Sequence, residues 1–386
     1  MSKRNSHFVA AIVGISLLYA SLANGQDIFQ PRPDRTQTTA QGTIDNILKE
    51  FYDKHSLPGG VSLAISYRGR LVYAGTIGYA DRERKIPLTT EHRMRIASLS
   101  KPITAIAIMK LVEERKLNLN DEVFGETGIF KGEYGVPKFE NRPVKITVKQ
   151  LLEHTGGGWG NARNDPMYHA SNAIGEEYMR TIIRDRPLEH LPGTKHDYSN
   201  FGYWVLGRVI EKASGVPYED YVKEHILKPC GISGMRIGGD ASAPDEAEYI
   251  GNRNENPYSS IRSPRRMDAV GGWIATPTEL LKLLVRVDGF STVPDILRSE
   301  TIRTMTTPSA QSPNYALGWF VNQNNGWFHT GAQLGATSLM ERVPNGFNWV
   351  ILINSSASPD EFIRDRDGLM GKILGTVRTW STGTEL

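Results

Sequence analysis

Ile44, Ile47, Leu48 and Phe51 recur every three or four residues in TIDNILKEFYDKHSLPG, the period of a helix with one buried face, and Pro58-Gly59 stops it. GVSLAISYRGRLVYAGTIGYAD then gives two strand-like runs around a turn at Arg68-Gly69-Arg70. Helical periods fill the middle of the chain, at Ile103–Leu117, Val148–Glu153, Glu176–Ile183, Tyr203–Ala213 and Tyr218–Leu227. Between Ile237 and Met267 the period is lost, and Gly, Pro, Asn and Ser predict a long irregular excursion of the kind that often carries function. Strand signals return in NYALGWFVN, GWFHTG, GATSLMERV and FNWVILINS, with a hairpin turn at Pro344-Asn345-Gly346. A closing helix is predicted over Phe362–Val377.

Strands at both ends with helices between them predict an α/β (α+β) fold. One antiparallel sheet is built from both chain ends and flanked by helices, with a mainly helical insert over roughly residues 100–270. No internal repeat or low-complexity tract is present. The length of 386 residues suits one large domain with an insert, or two domains. Hydrophobic content of 39% and charged content of 23% exclude a disordered or membrane-spanning chain. The formal charge of +3 is spread without a basic block, which argues against a nucleic-acid surface.

The N-terminus departs from this average. Lys3 and Arg4 precede the apolar run FVAAIVGISLLYASLANG, which ends in small residues at Ala23 and Gly25. That order predicts a secretory signal peptide over 1–25, cut before Gln26, and hence a secreted or periplasmic protein; an uncut segment would instead be a membrane anchor. Residues 26–42 are polar and Pro-bearing and read as a linker, leaving a domain over 43–380. Cys230 is the sole cysteine, so no intrachain disulfide can form.

The candidate chemistry starts at RMRIASLSKPITAIAIMKLVEE. Ser98 and Lys101 are one helical turn apart, close to Pro102, which is tolerated only near a helix start. A serine hydroxyl needs a partner to take its proton, and a lysine amine out of water can be that partner. S-x-x-K is common by chance, and a capping serine with a solvated lysine fits the spacing equally. Two further stretches shift the balance. Tyr198-Ser199-Asn200 opens a helix: the Tyr198 phenol near the Lys101 cation can relay protons, and the Asn200 amide can hold a substrate carbonyl. His329-Thr330-Gly331 lies in strand context, where a glycine lets a substrate backbone lie against the edge.

With S-x-x-K, Y-S-N and H-T-G in this order, the chain resembles the serine β-lactamase and DD-peptidase superfamily. The resemblance is to class C β-lactamases and their relatives: DD-carboxypeptidases, D-aminopeptidases and family VIII esterases. It runs from about Ile44 to Val377 and includes RIASLSKPITA, LLEHTGG, PGTKHDYSN and GGWIATPTELLKLL. A second H-T-G, His154-Thr155-Gly156, resembles the family's helix-ending LL-x-H-T turn, so the third motif is assigned to His329. The resemblance implies a β-lactamase/transpeptidase-like fold and a covalent mechanism. Ser98 forms the acyl-enzyme, Lys101 and Tyr198 move its proton as one unit, and Asn200, His329, Thr330 and Gly331 bind substrate. The backbone N–H groups of Ser98 and Ala332 form the oxyanion hole.

Histidine stands where β-lactamases usually carry lysine in the third motif. The reading therefore leans to a DD-peptidase or D-peptidase activity on a small-molecule or peptide substrate, with an esterase next and β-lactamase turnover third. A penicillin-binding sensor without turnover is the non-enzymatic alternative. No metal or organic cofactor is implied, and the oligomeric state is left open. The chain lacks the G-x-S-x-G of α/β-hydrolases and the H-E-x-x-H of zinc peptidases. His190 and His196 read as surface or capping residues, Trp159, Trp273 and Trp327 as core or cleft wall, and Arg265-Arg266 as a solvated loop.

Overall fold

The computed structural model describes residues 39–169, 175–251, 256–258, 263–356 and 360–386. The expected signal peptide and most of the linker lie outside the described residues. The first helix, Ala40–Lys54, starts three residues inside the stretch read as linker, because the Thr39 hydroxyl caps it by accepting from Gly42 N–H. Ile44, Ile47, Leu48 and Phe51 form its buried face, as their spacing predicts. It packs against the closing helix, Asp360–Thr376: Phe51 meets Phe362 at 5.6 Å, and Lys54 pairs with Glu361 and Asp365.

The main sheet is the expected one from both chain ends. Its order is Thr384–Glu385, Arg70–Asp81, Gly60–Tyr67, Phe347–Ile353, Ala336–Arg342, Trp327–Gln333 and Phe320–Val321. Gly60–Tyr67 pairs antiparallel with Phe347–Ile353 from Val61↔Ile353 to Tyr67↔Phe347, which joins the two ends of the chain. Arg68 and Gly69 both take positive φ, 49° and 74°, the turn that matches the twist of a two-residue hairpin.

Both faces of this sheet are covered, so its strands read as continuous apolar runs. Val61, Leu63, Ile65, Trp349, Ile351 and Ile353 pack with the terminal helices, whereas Ala64, Met340, Val350 and Leu352 pack with the helical region.

In that region the helix Ser100–Glu113 is central, buried on every side from Ser100 to Met109. A helix apolar all round belongs in an interior, which makes its lysine the anomaly. Asn200–Ser214 crosses near it, started three residues earlier than the apolar period indicates by the Ser199 hydroxyl, which accepts from Gly202 N–H. The excursion after Ile237 is largely irregular and is tied to a small sheet of Met94–Arg95, Trp273–Ala275 and Arg236–Ile237. Arg95 fastens it: its guanidinium lies 4.4 Å from the Tyr249 ring and 4.8 Å from the Tyr258 ring. No helix among the described residues is long and apolar enough to cross a membrane.

Candidate active site

Ser98 sits in one turn of 3-10 helix, Ala97–Leu99, that leads into Ser100–Glu113. Ala97 takes φ 48°, a left-handed value uncommon for a residue with a side chain. The hydroxyl is half-buried, while Lys101, one turn on, is fully buried.

Among the described residues, three oxygen atoms lie within hydrogen-bond distance of the lysine amine. Nζ lies 3.0 Å from Ser98 Oγ, 2.8 Å from Asn200 Oδ1 and 3.1 Å from the carbonyl oxygen of Val270. The two carbonyl oxygens can only accept, so they take two N–H bonds. A neutral amine has just two, and its lone pair then faces the Ser98 hydroxyl. Burial drives the Lys101 proton affinity down to about 7, and the negative charge of Asp165 partly opposes that fall. The neutral amine is therefore well populated near pH 7.

Asp165 also fixes the Asn200 amide. Its carboxylate accepts from Asn200 Nδ2 at 2.6 Å, which leaves Oδ1 to face Lys101. Asn200 N–H donates to Asn161 Oδ1 at 2.9 Å, so the asparagine is held at both backbone and side chain. Asp165, Asn161 and Val270 are absent from the sequence reading. Asp165 and Asn161 lie outside any motif, and Val270 acts through a carbonyl that every residue has.

Tyr198 completes the group around the hydroxyl. Its ring centroid is 4.9 Å from Lys101 Nζ and its phenol is close enough to Ser98 to feel the hydroxyl. Burial pushes the phenol's pKa well up, more than the Ser98 hydroxyl lowers it. Tyr198 therefore keeps its proton at neutral pH, whereas Lys101 can lose its own.

The strand Trp327–Gln333 lies along the nucleophile turn. A Cβ at Gly331 would fall 2.5 Å from the Ile96 carbonyl oxygen and 3.1 Å from Ala97 Cβ. The glycine is thus required by the protein's own backbone beside Ser98, a nearer cause than the substrate strand expected from the sequence. Ser338, opposite Gly331, donates to the same Ile96 carbonyl at 2.8 Å. Thr330 and Ala332 alternate with Gly331 and are half-buried.

His329 is buried, and both its nitrogens are engaged. Nδ1 lies 2.7 Å from the Thr330 carbonyl and must carry the proton, so Nε2 accepts from Tyr315 Oη at 3.2 Å. Burial and the Lys101 charge lower its pKa to about 3, so the third motif presents a neutral ring.

The other histidines sit where the sequence reading put them and add contacts to it: His154 follows the end of the helix Val148–Leu152 at φ 59°. His154 is buried in the same aromatic group, its ring 4.2 Å from that of Tyr198. His196 is half-buried and caps the helix Val148–Leu152, its Nδ1 3.2 Å from the Glu153 carbonyl and 2.8 Å from Ser312 Oγ, while its ring packs against His154 and Tyr315. His190 shares a half-exposed loop with Glu189 and Asp197, their ligand-type atoms within 4.8 Å of one another, and Lys195 Nζ lies 3.3 Å from its Nε2. Trp159, Trp273 and Trp327 are buried, as read. The arginine pair splits: Arg265 is exposed, but Arg266 is buried and donates to the Met167 carbonyl at 2.9 Å.

A family model described as Beta-lactamase matches residues 44–370. Protein flp of Staphylococcus aureus (strain MW2) is 27% identical over 329 residues, covering 83% of this chain and 64% of that protein. The chain therefore spans just under two thirds of that relative's length. Among solved structures, the octameric penicillin-binding protein homologue from Pyrococcus abyssi is similar with a TM-score of 0.69 at 28% identity, over 86% of this chain and 77% of that one. The D-amino acid amidase from Ochrobactrum anthropi SV3 has a TM-score of 0.69 at 23% identity, over 87% of this chain and 100% of its own, a likeness of fold.

Proposed function

We propose that this chain, which belongs to the beta-lactamase family, is an exported serine hydrolase that cleaves an amide bond beside a D-amino acid through an acyl-enzyme. One observation carries the mechanism: Lys101 Nζ lies 2.8 Å from Asn200 Oδ1, 3.1 Å from Val270 O and 3.0 Å from Ser98 Oγ, so a neutral amine with its two hydrogens on the carbonyls turns its lone pair to the hydroxyl.

In this reading Ser98 Oγ attacks the carbonyl carbon as its proton passes to Lys101 Nζ. The oxyanion forms against the N–H groups of Ser98 and Ala332, an arrangement in which one lost donor costs about 10²–10³ in rate. The Lys101 ammonium returns the proton through the Tyr198 phenol to the leaving nitrogen, the C–N bond breaks, and the acyl group stays on Ser98. Water then attacks the ester by the reverse route and frees the acid.

The substrate class rests on the neutral third motif and on the company the fold keeps. A neutral His329 supplies no cation for a β-lactam carboxylate from that position, and a D-amino acid amidase shares the fold. Export rests on the pattern of residues 1–25, whose apolar run follows Lys3 and Arg4.

A parallel assay of a D-alanyl-p-nitroanilide, a D-Ala-D-Ala peptide, a p-nitrophenyl ester and a chromogenic cephalosporin tests the reading, with Ser98→Ala and Lys101→Ala as controls. Turnover of the D-amide or D-peptide, lost in both variants, is expected. Ester turnover alone would move the assignment to a carboxylesterase, and one acyl group per chain without turnover would make it a sensor. Activity retained by Ser98→Ala would overturn the mechanism.

A further inference from the structure

We infer that His154, in the H-T-G copy outside the third motif, is a positioning residue that holds the Tyr198 phenol on the Ser98 hydroxyl; this rests on the mechanism proposed above. Three contacts converge on one short stretch. The His154 carbonyl accepts from Asp197 N–H at 2.7 Å, and His154 Nδ1 accepts from Ser199 N–H at 3.1 Å. Between those two anchors, the His154 ring lies 4.2 Å from the Tyr198 ring at a tilt of 37°. The residue before Tyr198, the residue after it and its ring are therefore all fixed by His154.

A turn alone does not call for histidine here. His154 takes φ 59°, a left-handed position that glycine or asparagine fills at least cost. Because Nδ1 accepts, the proton is on Nε2, and that buried N–H has no partner among the described residues. Burying an unpaired donor is unfavourable, so the ring is tolerated for what its Nδ1 and its face do.

The surroundings keep the ring neutral in this role. Tyr203 at 4.9 Å, Tyr315 at 4.7 Å and His196 at 5.7 Å enclose it. Burial, His196, Lys101 and His329 all act against its protonation. A proton on Nδ1 would break the bond from Ser199 N–H, so the clamp and the neutral state require each other. The clamp also reaches the helix Asn200–Ser214, since Ser199 is its cap and Asn200 its first residue.

The test is a double-mutant cycle on single-turnover acylation by a p-nitrophenyl ester, in the wild-type and Tyr198→Phe backgrounds. His154→Gly deletes the ring and the acceptor but suits the left-handed backbone; His154→Asn restores an acceptor near the Nδ1 position. Thermal midpoints are recorded for all. In the wild-type background His154→Gly is expected to slow acylation on the order of 10²-fold, the cost of a reacting group displaced by about 1 Å, with little change in KM. His154→Asn should recover about tenfold of that loss. In the Tyr198→Phe background His154→Gly should cost less than about threefold, because the group it positions has gone.

Equal losses in the two backgrounds, or no loss in the first, would overturn the inference while leaving the mechanism intact. Should His154→Gly not fold, the asparagine variant carries the same cycle, and an equal loss in both backgrounds overturns it again. Activity in a Ser98→Ala control would remove the mechanism, and this inference with it.

Discussion

Removing the charge of Asp165 while keeping its shape should move the acid limb of the pH profile downward. Asp165 reaches Lys101 through Asn200, with hydrogen bonds of 2.6 Å and 2.8 Å on either side of the amide. Adding the width of the amide puts the carboxylate about 7 Å from the amine. At an effective dielectric constant of about 20, that separation corresponds to about 2 kcal/mol of attraction between the charges. At 1.36 kcal/mol per unit, the carboxylate raises the Lys101 proton affinity by about 1–2 pH units.

The wild type, with Lys101 at about 7, should show log kcat/KM rising with unit slope below pH 7 and flat above it. The neutral fraction is roughly one tenth at pH 6 and one hundredth at pH 5. In Asp165→Asn the limb should fall to about 5–6, so the variant loses less of its plateau rate at pH 6 than the wild type does. Its plateau should also be lower, since an asparagine can turn the Asn200 amide and spoil the bond to Lys101. The assay is stopped-flow acylation by a p-nitrophenyl ester between pH 4.5 and 9, with the spontaneous rate subtracted. A wild-type limb near 10, or a limb that stays put or rises in Asp165→Asn, would refute this account of the base.

Other outcomes follow from the same geometry. Lys101→Met should abolish turnover yet raise the thermal midpoint at pH 7: the folded amine titrates at about 7 and the free one near 10.4, so the unfolded chain binds the extra proton and stability is lost as pH falls through that window. A calorimetric midpoint at pH 7 that drops in this variant would contradict it. Glu341 is buried and takes a bond from Trp349 Nε1 at 2.7 Å, and burial raises its pKa from 4.5 to about 7. Stability should therefore decline as pH rises from 4.5 to 7, and Glu341→Gln should gain up to about 3 kcal/mol in urea unfolding at pH 8 but nothing at pH 4; equal gains at both would contradict the cause. Gly331→Ala pushes a methyl against Ile96 O and Ala97 Cβ and should slow acylation on the order of 10²-fold. An unchanged rate would show that the strand and the nucleophile turn move apart freely.

The sheet and its flanking helices were legible because both carry strong periodic signals. Ile44, Ile47, Leu48 and Phe51 fix one helix face, and the paired runs at Gly60–Tyr67 and Phe347–Ile353 announce strands covered on both sides. Ser98 and Lys101 were legible as a pair because helical spacing alone brings i and i+3 together. Spacing is silent on depth, and the burial of Lys101, on which its proton affinity depends, comes from helices and loops far along the chain. Asp165 lies between two single helical turns, with no period to mark it. The pair Arg265-Arg266 misleads for a related reason. Both lie on the single helical turn Pro264–Met267, where neighbours point about 100° apart, so Arg265 is exposed and Arg266 is held by the Met167 carbonyl.

A single amine links these distant segments. Lys101 is held by an amide at position 200, a carbonyl at 270 and, through the amide, a carboxylate at 165; the ring of Tyr198 lies over it, 6.3 Å from that of His329. Its burial costs stability, and that cost is also what lowers its proton affinity toward the physiological range. Replacing it by an apolar residue would relieve the fold and remove the base together. The balance extends to its neighbours. His154 and His329 are both kept neutral by burial and by the Lys101 charge, so neither competes for the Ser98 proton at neutral pH. Among these three buried bases, Lys101 alone titrates near pH 7, and it is the one whose nitrogen lies 3.0 Å from the hydroxyl.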